Sequence, residues 1–236
     1  VPNTTIVLGY SDKYAVAGVD EIDANFAKFN GDKGAYVLDV KYTGLKSVEF
    51  NPYVYSAPDL ANWYGLKGTY TADMFGIIAH HAVSEVDSAY SVSNNIGDGS
   101  ISHLELNANY KDLTGAIGYI KTDKTNGISG IMDNVGDNIS PFDSGNKVYA
   151  ADAKTAYGSV GYKISDIELG ALYGVTTFGA NDNKEKELNL TVGYTFTEAL
   201  TTSLLLANVD ADEAYEINQA ANSQIVDQNY ALLKVE

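Results

Sequence analysis

The chain reads as all-β, an antiparallel transmembrane β-barrel with about twelve strands. Three observations lead there. Apolar and polar residues alternate with a period of two along most of the 236 residues, so each run lines one face of a strand with apolar groups and the other with polar ones. The connections between runs alternate between short and long. A Tyr stands on the apolar face just before each short turn. Barrels of bacterial outer membranes combine these traits: short turns on one side, long loops on the other and an aromatic girdle at the interface.

Taken in order, Thr4 to Val16 is a first strand and Ala17 to Lys33 a polar loop with Asp20, Glu21, Asp23 and Asp32. Gly34 to Thr43 sets Tyr36, Leu38, Val40 and Tyr42 against Val37, Asp39 and Lys41. After Gly44 to Lys46 the return strand is Ser47 to Ser56, weakened as an interior strand by Pro52. Ala61 to Thr71 and Met74 to Val83 form the next hairpin, followed by a loop from Ser84 to Ser100. Ile101 to Lys111 alternates most cleanly, with Leu104, Leu106, Ala108 and Tyr110 against Glu105, Asn107 and Asn109. Thr114 to Thr122 returns into the longest loop, Asp123 to Ala153. Lys154 to Lys163 pairs with Ile167 to Phe178, and Gly179 to Glu185 is a short polar loop. Glu187 to Phe196 and Leu200 to Val209 form the last hairpin. Ala211 to Asn222 is an acidic loop, and Ser223 to Glu236 the closing strand. The runs are roughly 9–12 residues long, what a tilted strand needs to cross a bilayer.

Composition bounds the function. The net charge is −16, and all 15 basic residues are Lys. A chain without clustered cations does not hold nucleic acid by its phosphates. With no Cys, disulfides, Cys-ligated metals and a Cys nucleophile are excluded. The 18 Tyr, against 7 Phe and 1 Trp, suit strands and a membrane interface. No run of about 18 apolar residues exists for a transmembrane helix, which leaves a barrel untouched. Val1 opens onto TTIVLGY with no signal peptide, and YALLKVE stops within a strand pattern. The expectation is a processed or partial chain forming a single barrel domain over 1–236.

The alternation assigns faces. Asp39, Lys41, Glu49, Asn51, Tyr53, Tyr55, Trp63, Lys67, Glu105, Asn107, Asn109, Glu168, Glu187 and Asn189 are expected to line a pore. Charges there set the field that selects ions; the plainer reading is a hydrated wall in which no single residue matters. Tyr42, Tyr70, Tyr110, Tyr162 and Tyr194 precede the short turns and are expected to form an aromatic girdle. The longest loop exceeds the usual structureless length. It is expected to fold inward as a constriction with an acidic rim from Asp123, Asp133, Asp137, Asp143 and Asp152, with a flexible surface loop as the alternative.

No cofactor is expected. Asp210, Asp212 and Glu213, or Asp133, Asn134, Asp137 and Asn138, offer oxygen ligands suited to a loosely bound divalent cation, without EF-hand spacing. His80 and His81 are adjacent on a strand and face opposite sides, so with His103 they make a poor zinc set. No GxSxG, HExxH, P-loop or GxGxxG motif occurs, and an enzyme is not expected.

VPNTTIVLGYSDKY, YSAPDLANWYGLKGTY and YALLKVE resemble the OprD-like porins of epsilon-proteobacteria, relatives of their major outer membrane porin, along essentially the whole chain. The resemblance implies a barrel of about eighteen strands, of which this chain is the C-terminal two-thirds, in a homotrimer whose long extracellular loops enter the pore. OprD-like channels for carboxylates carry a lumenal ladder of Arg; this chain has no Arg, so that selectivity is not carried over. The expected function is an outer-membrane porin giving passive diffusion to ions and small hydrophilic solutes, in contact with membrane lipid and lipopolysaccharide. Alternatives are a substrate-specific channel of the same fold and a non-conducting adhesin barrel.

Overall fold

The computed structural model describes residues 2–14, 26–128, 139–145, 147–197, 200–211 and 228–235. Its strands are β1 (Thr4–Ser11), β2 (Lys13–Tyr14), β3 (Ala27–Lys28), β4 (Ala35–Leu45), β5 (Val48–Ala57), β6 (Ala61–Thr71), β7 (Phe75–Val86), β8 (Gly99–Tyr110), β9 (Leu113–Thr122), β10 (Lys154–Ile164), β11 (Ile167–Phe178), β12 (Asn183–Thr197), β13 (Leu200–Ala211) and β14 (Gln228–Val235). Twelve form one meander, β1-β4-β5-β6-β7-β8-β9-β10-β11-β12-β13-β14, and β2 pairs with β3. Every pairing is antiparallel, as strands joined by tight turns must be.

The sheet has two different faces. On the outer face Leu38, Leu66, Leu104, Leu106, Ile117, Val160, Leu169, Leu188, Leu190, Val192 and Leu204 all stand exposed. A soluble domain does not leave so large a contiguous apolar surface to water. On the inner face Trp63, Ile101 and Ile120 are buried with Val148, Ile128 and Ile139 of the long loop. The core therefore lies where connections fold back over the inner face, and the outer face has no layer on it among the described residues.

Local departures from the sequence reading have physical causes. The first strand leaves the main sheet at Ser11, where its partner strand begins at Ala35. The loop expected from Ser84 to Ser100 contains the last three residues of β7, a helix, α1 (Ser88–Asn94), and the first two residues of β8. Asp87 caps this helix, accepting from the backbone N–H of Ala89 and Tyr90, and Asn95 ends it in the left-handed region at φ 53°. β12 begins at Asn183, inside the polar loop expected up to Glu185, because Lys184 to Glu187 continue the ladder to β11. Pro52 sits within β5 after all. The β4–β5 ladder breaks between the Asp39–Tyr53 and Tyr42–Phe50 pairs. There the Asn51 side chain donates to the Val40 carbonyl at 3.0 Å, filling the place of a backbone donor that Pro lacks.

Candidate functional site

The inner face is built by alternation and then crowded by rings lying on glycines. Tyr53 is paired with Gly65 across β5–β6, and Tyr157 with Gly118 across β9–β10. Each Tyr ring occupies the volume where a Cβ on that glycine would stand. Tyr53 stacks on Tyr55 at 4.7 Å between centroids.

One row of cross-strand neighbours runs across this face: Asn51, Lys67, His80, His103, Ile120, Thr155, Thr176 and Glu185. Lys67 and the two histidines lie on β6 to β8 and the carboxylate on β12. His80 Nε2 lies 2.8 Å from Tyr53 Oη. Tyr157 Oη donates to Glu105 Oε2 at 2.6 Å. Its only proton is thereby used, so His103 Nε2, 2.8 Å away, is the donor to Tyr157 and carries the ring proton on that nitrogen. Sequence reasoning noticed the three histidines and correctly placed His80 and His81 on opposite faces. It missed that His80 and His103 are direct partners, because that depends on the register across α1 and its flanking turns. His81 faces outward, against Ser102 Oγ at 2.8 Å.

The long loop is tied to the inner wall by one carboxylate. Glu187, 1% exposed, accepts from the backbone N–H of Asp143 at 2.9 Å and Ser144 at 3.1 Å through Oε1, and from Gly145 through Oε2. Glu185 Oε1 accepts from the Lys147 N–H at 3.3 Å. Tyr149 Oη accepts from the N–H groups of Ile139 and Ser140, both at 3.0 Å. Thr122 Oγ1 donates to the Ala150 carbonyl and accepts from the Ala153 N–H. Phe142 lies edge-on to Tyr157 and covers Gly174. Two residues along from Glu187, the Asn189 side-chain Oδ1 is buried with no partner among the described residues.

The other expected site residues fall as follows. Asp39 accepts from Asn51 Nδ2 at 2.7 Å and from Tyr55 Oη at 3.4 Å. Lys41 pairs with Glu49 at 2.9 Å and Lys163 with Glu168 at 2.7 Å. Asn107 Nδ2 reaches Glu105 at 3.4 Å. Asp123 and Asp152 stand at the two feet of the long loop, where the Asp152 N–H donates to the Asp123 carbonyl. Asp123 also receives the N–H groups of Asn126 and Thr125, which hold its carboxyl below the usual range. Asp143 lies on the loop segment that crosses the wall. Burial, and then the nearby Glu187 carboxylate, push its carboxyl upward. Asp133, Asn134, Asp137, Asn138, Asp212 and Glu213 lie outside the described residues. Among the described residues no group of three or more His, Asp or Glu is arranged to hold a metal ion. Tyr42, Tyr70, Tyr110, Tyr162 and Tyr194 stand on the outer face, each at least a third exposed.

No protein-family model matches the chain, and no characterised protein matches it by sequence. Solved structures do. Pseudomonas aeruginosa OpdO is similar at 13% identity and a TM-score of 0.72, over 99% of this chain and 66% of its own. Acinetobacter baumannii OccAB4 is similar at 14% identity and 0.70, over 100% and 63%. P. aeruginosa OpdK, crystallised with vanillate, is similar at 15% identity and 0.74, over 99% and 67%. These are OprD-type barrels of 18 strands. At such identities the likeness is one of fold, and the chain spans about two-thirds of their length. The expected architecture, some twelve strands of an OprD-like barrel, is the one observed.

Proposed function

We propose that the chain forms part of an outer-membrane porin through which ions and small hydrophilic solutes diffuse passively. One observation carries the reading: a twelve-stranded sheet with an apolar outer face and a polar inner face, over which a loop is held by Glu187. A water-filled lumen needs the polar wall, and lipid needs the apolar one. Segments 139–145 and 147–153 narrow the lumen, and size and charge at that point do the selecting. The loop's acids, Asp133, Asp137 and Asp143 among them, favour cations. The aromatic row of Tyr42, Tyr70, Tyr110, Tyr162 and Tyr194 marks the periplasmic interface, in a barrel surrounded by lipid and lipopolysaccharide and assembled as a trimer.

Planar-bilayer recording of the full-length protein tests this. The expected result is large stepwise currents with a cation preference in a salt gradient, reduced by joint Asp133→Asn and Asp137→Asn substitution. An absence of conductance would favour a non-conducting adhesin barrel. An anion preference indifferent to both substitutions would overturn the acidic constriction.

A substrate-specific channel is the second reading. It is favoured by the polarity of the inner row, with Lys67, His80 and His103 on one side and Glu185 with Glu187 on the other. Saturable uptake of one solute class distinguishes it from general diffusion.

A further inference from the structure

The outer face carries a second aromatic row that the turns do not announce. Tyr10, Tyr36, Tyr64, Tyr119 and Tyr173 all point outward and are exposed. Tyr36 and Tyr64 lie six residues loopward of Tyr42 and Tyr70, and Tyr10, Tyr119 and Tyr173 six residues from the short-turn ends of β1, β9 and β11. Six residues are about 20 Å of strand. Two Tyr rows bounding an apolar band are what a barrel shows at its two interfaces.

Just loopward of this second row lies a line of outward groups on five adjacent strands: Ser102, Lys121, Lys154, Thr177 and Lys184, each the direct register partner of the next. Inner-facing Ile101, Ile120, Thr155, Thr176 and Glu185 beside them are buried, which fixes the line as outward. Lys121 lies two residues beyond Tyr119 on the same strand. Lys121 and Lys154 are like charges directly opposite across β9–β10, a pairing that costs stability unless an anion lies between. Asp152 fills that role for Lys154 alone, and among the described residues Lys121 makes no ion pair. Asp152 meets Lys154 at 3.3 Å from the loop side, Asp210 is taken by Lys186 at 3.0 Å, and Glu85 stands on β7 beside Tyr64. In a chain of net charge −16, a line of ammonium and hydroxyl donors at one height is a specific departure. With strands about 4.8 Å apart it spans about 19 Å.

We infer that this line is a ledge for the phosphate groups of an anionic outer-leaflet glycolipid, with Lys121 and Lys154 as its centre and, beside them, the hydroxyls of Ser102, which also meets His81, and Thr177, which also donates to the Lys154 carbonyl. The inference rests on the membrane placement proposed above. Phosphate oxygens accept from ammonium and hydroxyl groups together, and the row of Tyr sets the donors at headgroup level.

The test is native mass spectrometry of the full-length, detergent-solubilised protein. Three probes are added: a bis-phosphorylated glycolipid of the lipid A type, its dephosphorylated form and inorganic phosphate. The phosphorylated lipid is expected to bind and the dephosphorylated form to bind at least tenfold more weakly. The Lys121→Gln/Lys154→Gln double variant should lose about 30-fold in affinity for two headgroup-level charges. Lys121→Arg/Lys154→Arg should keep binding, as should Lys46→Gln/Lys111→Gln at the short turns. Equal binding of the dephosphorylated lipid, wild-type affinity in the Gln double variant, or competition by millimolar inorganic phosphate would overturn the ledge. Conductance of the same samples is read separately. A barrel that binds the lipid but passes no current refutes the porin reading alone, and a conducting barrel indifferent to the phosphates refutes the ledge alone.

Discussion

Glu187 makes the most exposed claim, because a single carboxylate holds three backbone donors of the loop. In Glu187→Gln one oxygen remains. Asp143 and Ser144 keep neutral hydrogen bonds in place of charge-assisted ones, which are roughly twice as strong. The new amide group faces the Gly145 N–H, donor against donor. A bond to a charged acceptor contributes about 1.5–3 kcal/mol. One bond is lost outright and two are weakened, which amounts to about 3 kcal/mol against docking of the loop. Hydrogen exchange reads this directly: protection of the Asp143, Ser144 and Gly145 amides should fall about 100-fold. Amides of β9 and β10 should hold their protection, because their ladder is untouched. Single-channel current should rise and grow noisier as the loop leaves the wall. Loop amides protected within about threefold of wild type would refute the reasoning, since the carboxylate would then not be what holds the segment.

Leu190 is outward and 42% exposed; Leu190→Lys should destabilise the barrel by about 2–4 kcal/mol if it faces the bilayer midplane, measured by urea unfolding in lipid vesicles. Gly65→Ala should cost about 1–3 kcal/mol by overpacking, because a methyl group there meets the Tyr53 ring, and refolding yield and heat-modifiable gel mobility report it. Asp123→Ala removes the acceptor for the Asn126 and Thr125 N–H groups and should cost about 1 kcal/mol at neutral pH. The Asp123 carboxyl is held below its ordinary value, so its contribution is present above that value and is lost as pH falls through the lowered one. The difference in Tm between variant and wild type should therefore close as pH falls through that lowered value; a gap that persists in strong acid would mean the loop foot is held by something else.

The faces of the strands were legible because a period of two needs no knowledge of partners. Leu188, Leu190 and Val192 point outward and Glu187 inward, as the alternation from Glu187 to Phe196 required. The Tyr residues before short turns were legible for the same reason: turn and strand are contiguous. What escaped depends on register between distant segments. His80 and His103 meet only because β7 and β8 pair after an intervening helix. Glu187 looked like one polar wall residue among many, and its grip on 143–145, more than forty residues away, has no local signature. The second Tyr row escaped because depth in a tilted sheet is set by pairing and not by distance from a turn in sequence. The weakness at Pro52 was visible, but its repair by Asn51 needed the neighbouring strand.

The rings resting on Gly65 and Gly118 bear on bore as well as on packing. A Tyr opposite a larger residue has to stand away from the wall and takes its cross-section out of the channel. Laid over a glycine it becomes part of the wall, and its hydroxyl meets a partner there, His80 for Tyr53 and Glu105 for Tyr157. Under the porin reading, two residues with no side chain thus set how far each ring stands from the wall, at two different heights. Exchanging either for alanine forces a ring off the wall while every charge stays in place, and under the porin reading these glycines are calibrating positions through which small changes in sequence retune permeation.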